Sequence, residues 1–114
     1  MATSIFVNLP VQDLQRSINF FTNLGYSFNQ QFTDDKAGCL VISDTIYAML
    51  LKHEYFKSFS NLEVADTSKA NEVILCLSAD DREGVDNLVD KALKAGGKEP
   101  RPAQDHGFMY SRAF

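Results

Sequence analysis

The sequence predicts an α+β fold in which one strand–helix–strands unit occurs twice, with the second copy one strand short. Two observations carry this prediction. The order of strand, acidic helix cap, helix, glycine and strand appears over residues 5–25 and returns over residues 73–97. A polar stretch with little periodicity separates the two copies, and internal duplication of this kind decides the fold class. At 114 residues, the chain suits one domain rather than two.

The first copy opens with a strand and a capped helix. Residues 4–10 alternate, with Ile5, Val7 and Leu9 on one side and Phe6 and Asn8 on the other, which is the period of a strand. Asp13 is the predicted helix N-cap, and Gly25 is the predicted left-handed end of the helix. The helix stripe that faces the sheet comprises Leu14, Ile18, Phe21 and Leu24.

Three further strands are predicted in this copy, at residues 26–32, 38–43 and 45–52, with a turn over 34–36. The order is therefore β-α-β-β-β. Residues 53–71 are the most polar region, and we expect a linker with one amphipathic turn that carries Tyr55, Phe56 and Phe59. The expected layout is one domain over residues 1–114, with module one at about 1–55, a linker at about 56–70 and module two at about 71–114.

The second copy repeats the pattern with fewer strands. Residues 72–78 are predicted to form a strand. Asp80 is the predicted N-cap of the following helix, with Glu83 at the capping-box position, and Gly96 and Gly97 are predicted to end that helix. Residues 98–102 are an edge-like strand or an extended segment, 103–107 a loop, and 108–114 an alternating strand. The predicted helix stripe comprises Val85, Leu88, Val89, Ala92 and Leu93.

Composition excludes several classes of function. The net charge of -4 and the lack of a Lys/Arg cluster argue against a nucleic-acid partner. No apolar run approaches the length of a membrane span, and no signal-peptide pattern is present, so we expect no membrane partner and a cytoplasmic location. Cys39 and Cys76 lie in apolar strand patterns without metal or redox spacing, and we expect both to be buried reduced thiols.

Two segments resemble a known superfamily. Residues 6–26, with the run Phe-Val-Asn-Leu-Pro-Val-Gln-Asp-Leu and the Leu-Gly helix end, resemble the opening of vicinal oxygen chelate proteins, which include glyoxalase I, extradiol dioxygenases and bleomycin-resistance proteins. Residues 105–114 resemble the penultimate strand of the same superfamily. The resemblance implies two βαβββ modules whose mixed sheets curl around a cleft, within a homodimer. It implies a fold and no particular chemistry.

The resemblance also implies where a metal ion would bind. Its enzymes hold a divalent metal with His, Gln or Glu from four strands, and the first three positions fall on Phe6, Leu50 and Ile74 here. None of these side chains carries a donor atom for a metal. The fourth ligand is normally a Glu beyond a turn that would follow Phe114, and without that last strand residues 108–114 form an unpaired edge. Either a partner chain completes this edge or, as we expect, this chain is a shortened form of a longer one. No metal and no cofactor are expected.

A few residues remain as site candidates. His106 beside Asp105 is the candidate for a catalytic base, with His53 behind it, although adjacent loop residues more often serve turns. Tyr110 and Arg112 share one strand face and offer a hydroxyl and a guanidinium, unless they are a packing Tyr and an edge Arg. The expected ligand-binding residues are Phe6, Asn8, Leu50, Ile74, Cys76, Tyr110 and Arg112.

Three functions stay open at this point. The missing metal ligands favour a metal-independent small-molecule-binding protein of the bleomycin-resistance kind. The alternative is a lyase- or dioxygenase-type enzyme with a non-standard site near His106. The third possibility is an interaction module whose cleft is filled by its own aromatic side chains. Whether the chain is an enzyme is therefore undecided by the sequence, as is the identity of its ligand.

Overall fold

The computed structural model describes residues 3–114 and divides the chain into a first unit that ends at Val73 and a second unit, Ile74–Phe114. The α+β class is confirmed. The first unit contains β1 (Ile5–Val11), α1 (Leu14–Asn23), β2 (Ser27–Phe28), β3 (Ala37–Val41), β4 (Ile46–Lys52) and α2 (His53–Lys57). The second contains α3 (Arg82–Lys94), β5 (Gln104–Asp105) and β6 (Tyr110–Ser111). That the units form one domain stays a prediction.

The sheet of the first unit is mixed and has the order β1-β4-β3-β2. β1 runs parallel to β4, with Leu9 opposite Leu50, and the remaining pairs are antiparallel. A parallel pair needs a long crossover, and here the whole of α1, β2 and β3 lies between the two strands. β1 is thus an edge strand of the four-stranded sheet.

α1 packs on one face of this sheet. Asp13 caps the helix as predicted, because its carboxylate accepts a hydrogen bond of 3.0 Å from the backbone N–H of Arg16. The buried core joins Leu14 of the helix to Leu40, Ala48 and Leu50 of the strands. Partly buried apolar residues surround this core: Leu9, Val11, Ile18, Phe21, Tyr26, Phe28 and Ile42.

Gly25 ends α1 in the predicted left-handed conformation, with φ at 102°. No neighbouring atom would obstruct a side chain there, so the requirement for glycine is a backbone one. We expect Gly25→Ala to lower the free energy of unfolding by about 1–2 kcal/mol, measured by urea denaturation. Gly25→Asn should cost clearly less, because Asn tolerates this region better. Equal losses for both variants would contradict the backbone explanation.

The second predicted strand is shorter than expected. Residues 26–32 form only the two-residue β2, and Gln30–Phe32 are a single turn of 3-10 helix. Asn29 causes the break, since its side chain accepts a hydrogen bond of 3.0 Å from the N–H of Gln31. Local side-chain bonds of this type compete with strand pairing, and the alternation of the sequence does not reveal them.

The polar region after β4 begins with the helical turn that the sequence predicts. α2 spans His53–Lys57 and packs against β1 and β4, and its Tyr55 ring lies edge-on to that of Phe59, 5.1 Å away. Among residues 3–114, no helix has both the length and the apolar character that crossing a membrane requires.

α3 is the centre of the second unit. Its N-cap is Asp81, whose carboxylate accepts a hydrogen bond of 2.7 Å from Gly84, and the predicted cap at Asp80 is therefore wrong by one residue. Val89 and Ala92 are buried as predicted, whereas Leu93 is exposed. Gly96 ends the helix with φ at 103°.

The strands predicted around α3 are largely absent from the part of the chain that the structure describes. Residues 72–78 and 98–102 form no strand, and the predicted strand over 108–114 is reduced to β6, which pairs with β5 inside the predicted loop. A strand exists only where a partner completes its hydrogen bonds. Within residues 3–114, the second unit has no counterpart of β4 that could serve as that partner.

Candidate functional site

The sheet face opposite α1 carries two of the predicted ligand-binding residues. Phe6 and Asn8 of β1 lie directly across from Tyr47 and Met49 of β4. Residues that face each other in a parallel pair project to the same side, so these four residues form one surface, which we call the stacking face. Farther along the same face Leu51 is buried, so the face is open toward Phe6 and closed toward Leu51.

The stacking face is built around an aromatic pair. The rings of Phe6 and Tyr47 are 4.6 Å apart and 8° from parallel, and 49% of Phe6 is exposed to solvent. Tyr47 is held in place because its hydroxyl donates a 2.9 Å hydrogen bond to the backbone oxygen of Asp44. Since β1 is the sheet edge, the outer face of Phe6 offers a preformed aromatic surface.

Asn8 gives this apolar surface a polar group. Its side-chain nitrogen donates a 3.2 Å hydrogen bond to the backbone oxygen of Phe6, which orients the amide. Asn8 is exposed, and its amide oxygen can accept a hydrogen bond from a ligand. A few placed polar groups on an apolar surface are typical of small-molecule sites.

Leu50 does not belong to the stacking face. It is 2% exposed and packs in the core against Leu14 and Leu40. The superfamily resemblance placed it on the ligand side, and the sequence of β4, Ile-Tyr-Ala-Met-Leu-Leu, is apolar on both faces and could not correct this. Alternation cannot indicate which face is the core in such a strand. The β4 residues on the stacking face are Tyr47 and Met49.

Tyr110 and Arg112 belong to a network of hydrogen bonds in the second unit. The Arg112 guanidinium donates to Glu99 at 2.9 and 3.1 Å, and to Asp86 and Asp90 at 3.1 Å each. The Tyr110 hydroxyl donates a 2.8 Å bond to Asp86. We call these five residues the Arg112 network. The guanidinium of Arg112 is hydrogen-bonded to three carboxylates. This arrangement holds the second unit together and leaves the guanidinium unsuited to binding an anion.

The network shifts the pKa values of its members. The Arg112 guanidinium lowers the pKa of the Glu99 carboxyl, and the Tyr110 hydroxyl together with Arg112 lowers the pKa of Asp86. Glu99 and the other carboxylates in turn raise the pKa of Arg112. These shifts mean that the folded unit stabilises the charged forms of Glu99, Asp86 and Arg112.

His106 lacks the orienting carboxylate that the catalytic hypothesis needs. Asp105 instead forms a two-point ion pair with Arg82, including a 2.8 Å bond from Nη2, and accepts a 2.9 Å bond from the N–H of Gly107. The hydrogen bond from Arg82 lowers the pKa of Asp105 to about 2. The imidazole is exposed and lies 6.3 Å from the ring of Phe108. His53, at the start of α2, is exposed too.

Ile74 and Cys76 lie in the segment 72–78, which is exposed throughout. The structure therefore corrects one prediction about the thiols: Cys39 is buried, but Cys76 is exposed. Burial raises the pKa of the Cys39 thiol. Cys76 is exposed because the predicted strand that would bury it is not paired.

The three positions that the resemblance implies for a metal carry no donor atoms on the structure either. Correcting the β4 position from Leu50 to its neighbours Met49 or Leu51 supplies no imidazole or carboxylate. Across residues 3–114, no three His, Cys, Asp or Glu side chains converge in a way that could hold a metal ion. The residues present do not fit the metal site of the enzymes.

One groove was not predicted from the sequence. It has a volume of about 490 Å³ and lies at the start of α1. Two of its carboxylates already serve the backbone: Asp13 caps α1, and Asp34 accepts hydrogen bonds from Lys36 and Ala37. The lining residues are Gln12, Asp13, Leu14, Gln15, Ile18, Asp34, Asp35 and Lys52.

Comparison with known proteins supports the superfamily resemblance. Residues 3–43 match the family model "Bleomycin resistance protein-like N-terminal". The fold is similar to hypothetical protein SA1046 from S. aureus, at 28% identity and a TM-score of 0.79, over 98% of this chain and 84% of that one. No curated protein shows significant sequence similarity.

Two more distant structures share the fold. A glyoxalase/bleomycin resistance protein/dioxygenase family enzyme from Burkholderia phytofirmans PsJN has 17% identity and a TM-score of 0.71, over 97% of this chain and 87% of that one. A glyoxalase/bleomycin resistance protein/dioxygenase from Nocardioides has 16% identity and a TM-score of 0.68, over 94% and 70%. These two structures show the same fold, and the family model over residues 3–43 supports the vicinal oxygen chelate resemblance.

Proposed function

We propose that this chain is a small-molecule-binding protein of the vicinal oxygen chelate superfamily that holds a flat, partly apolar ligand without a metal ion. The observation that carries the proposal is the Phe6–Tyr47 stack, which replaces the first metal-ligand position by an exposed aromatic ring. A flat ligand would lie on the outer face of Phe6 and extend the stack, with the Asn8 amide oxygen as its hydrogen-bond acceptor.

The enzyme alternative has less geometric support. A general base needs a group that orients it, and the nearest carboxylate to His106 in sequence is occupied by Arg82. The superfamily hosts enzymes as well as binding proteins, so the fold does not decide between them. The cytoplasmic location and the homodimer stay predictions.

A thermal-shift titration tests metal independence. The purified protein is titrated with Zn²⁺, Ni²⁺, Mn²⁺ and Fe²⁺, with and without EDTA, because a ligand that binds only the folded state raises the melting temperature. We expect no saturable shift with any of the metals. A saturable shift that His106→Ala abolishes would overturn the proposal in favour of the enzyme alternative.

Binding of two probes, bleomycin and a naphthalene sulfonate, tests the stacking face. Tyrosine fluorescence and isothermal calorimetry measure the affinity for each probe. We expect Phe6→Ala to lower the affinity for the more tightly bound of the two probes by about tenfold, since a lost stacking contact is worth about 1–1.5 kcal/mol. Phe32→Ala is the matched control, because Phe32 is 56% exposed and lies outside the stacking face. Equal affinity for wild type and Phe6→Ala would exclude this face as the site.

A further inference from the structure

The outer edge of β1 places backbone donors beside the stacking face. The direction of the backbone groups is fixed by Ile5, whose N–H donates a 2.8 Å hydrogen bond to the backbone oxygen of Thr45, just before β4. Backbone groups of successive strand residues alternate in direction, so Phe6 and Asn8 direct their N–H and C=O groups away from β4. Within residues 3–114, no strand pairs with that outer edge. The N–H of Phe6 is therefore open to a ligand.

The side chain of Asn8 changes the hydrogen-bonding character of this edge. Its amide nitrogen donates a 3.2 Å hydrogen bond to the backbone oxygen of Phe6, so the carbonyl nearest to the N–H of Phe6 is already bonded. A primary amide has two donor hydrogens, and this bond uses one of them. Beside the Phe6 ring, the edge thus offers hydrogen-bond donors, while the adjacent acceptor is occupied.

The stacking face carries no charge. Its four residues, Phe6, Asn8, Tyr47 and Met49, are uncharged, and the whole chain has a net charge of -4. A carboxylate on a ligand would accept hydrogen bonds from the edge, but it would meet no cation on this face and would be repelled by the net charge. A carbonyl oxygen accepts a hydrogen bond without that repulsion.

We propose that the ligand of the stacking face is an uncharged aromatic compound with a carbonyl group on its edge, which accepts a hydrogen bond from the backbone N–H of Phe6. This inference rests on the proposed function and adds an acceptor to the description of the ligand. A ring that stacks on Phe6 displaces water from the N–H of the same residue, and a donor left without a partner is costly. Asn8 sets the preference for an acceptor because it occupies the Phe6 carbonyl.

Three probes test the chemistry of the ligand. Coumarin is a flat, uncharged two-ring compound with a carbonyl on its edge, and N-methylindole is a flat two-ring compound with neither a carbonyl nor an N–H. We expect the wild-type chain to bind coumarin about fivefold more tightly in isothermal calorimetry, because one hydrogen bond makes a modest net contribution. A carboxylate derivative of coumarin should bind more weakly than coumarin.

The outcomes separate this inference from the proposed function. Equal affinities for coumarin and N-methylindole, or tighter binding of the carboxylate, would overturn the carbonyl assignment and leave a flat-ligand site in place. Failure of every flat probe to bind the wild-type chain would refute the proposed function itself, and this inference with it.

Amide NMR of the wild-type chain locates the hydrogen bond. In a nitrogen–proton correlation spectrum, coumarin should move the amide proton of Phe6 downfield, because an accepted hydrogen bond deshields the donated proton. N-methylindole should produce no downfield shift there. The amide protons of Ile5 and Val7, which face β4, are the internal controls. A coumarin complex without a downfield shift at Phe6 would contradict the assigned donor.

Asn8→Val tests whether the amide sets the preference. The variant uncovers the Phe6 carbonyl, whose oxygen would repel the carbonyl of coumarin, and valine is well suited to a strand. Neither coumarin nor N-methylindole has a donor, so loss of the Asn8 amide oxygen costs neither probe a hydrogen bond. We expect the affinity for coumarin to fall by about threefold or more, and that for N-methylindole to change by less than about twofold. Far-UV circular dichroism checks that the variant is folded. An unchanged ratio of the two affinities in the folded variant would refute the role of Asn8.

Discussion

Leu50→Ala is expected to lower the free energy of unfolding by about 3 kcal/mol, and the melting temperature by on the order of 10 °C. Leu50 is 2% exposed and touches the core that joins α1 to β3 and β4. Truncation removes buried apolar surface and leaves a cavity between the helix and the sheet, because the close-packed surroundings relax only in part. Urea denaturation followed by circular dichroism measures the loss.

Leu62→Ala is the matched control for this prediction. Leu62 is 76% exposed, so the same change there should alter the unfolding free energy by less than about 0.5 kcal/mol. The comparison also decides between the two assignments of Leu50. If Leu50→Ala left stability unchanged and abolished binding of the probes, Leu50 would line the ligand site as the sequence suggested, and the core position would be wrong.

Arg112→Met is expected to destabilise the second unit at neutral pH and to lose most of this effect in acid. The side chain of Arg112 is 14% exposed and forms ion pairs with the carboxylates of Asp86, Asp90 and Glu99. Its removal takes away the cation that is hydrogen-bonded to all three carboxylates, so their mutual repulsion is offset less. A melting temperature lower by several degrees at pH 7 is the expected result, measured by differential scanning fluorimetry.

The pH dependence follows from the direction of the shifts. The folded pKa values of Asp86 and Glu99 lie below their ordinary values of 3.8 and 4.5, so the stabilisation that they provide is present above those values. It is lost as the pH falls through the folded pKa values. Wild type should therefore lose stability between about pH 5 and pH 2. The variant lacks the cation, so its deficit should shrink over the same range.

Arg16→Met serves as the control for the loss of a positive charge alone. Arg16 lies on α1, is exposed, and forms no ion pair within residues 3–114. Its replacement should change the melting temperature little at any pH. A deficit of Arg112→Met that stayed constant from neutral to acidic pH would show that Arg112 acts through packing and not through its charge.

The two predictions together limit where a ligand can bind. Leu50 is buried in the core, and Arg112 is hydrogen-bonded to carboxylates. An anionic ligand would have to displace several charge-assisted hydrogen bonds to reach the guanidinium. Among the described residues, Phe6 stacks on Tyr47, and the Asn8 amide donates a hydrogen bond only to the backbone oxygen of Phe6. We therefore expect substitutions on the stacking face to change affinity more than stability.

Local patterns in the sequence predicted local structure well. Asp13 caps α1 and Gly25 ends it because both effects involve only neighbouring backbone groups. β1 and β4 were placed to within one residue, since long alternating or apolar runs bounded by turn residues are strong strand signals. The cap of α3 was displaced by one residue because Asp80 and Asp81 are adjacent and chemically equivalent.

The candidate site was predicted less well. Phe6 and Asn8 were predicted to share one face of β1, and the structure places both opposite β4 residues outside the core, but Tyr47, which completes the aromatic pair, was missed. Its signal was available in principle, because a parallel register between β1 and β4 places it beside Phe6. The partners of Arg112 come from α3 and from the segment that follows it, and no spacing rule connects residues so far apart.

The sequence by itself determined the α+β class, the order of the main elements in the first unit and the capped helices, because each depends on short-range backbone preferences and periodicity. Tertiary structure alone decided which face of β4 is the core, which carboxylates hold Arg112, and whether residues 72–78 are a strand. The physical reason is common to all three. Strand hydrogen bonds, the burial of an apolar side chain and the pairing of a charge all depend on groups that are distant in the chain. Those groups become neighbours only on folding.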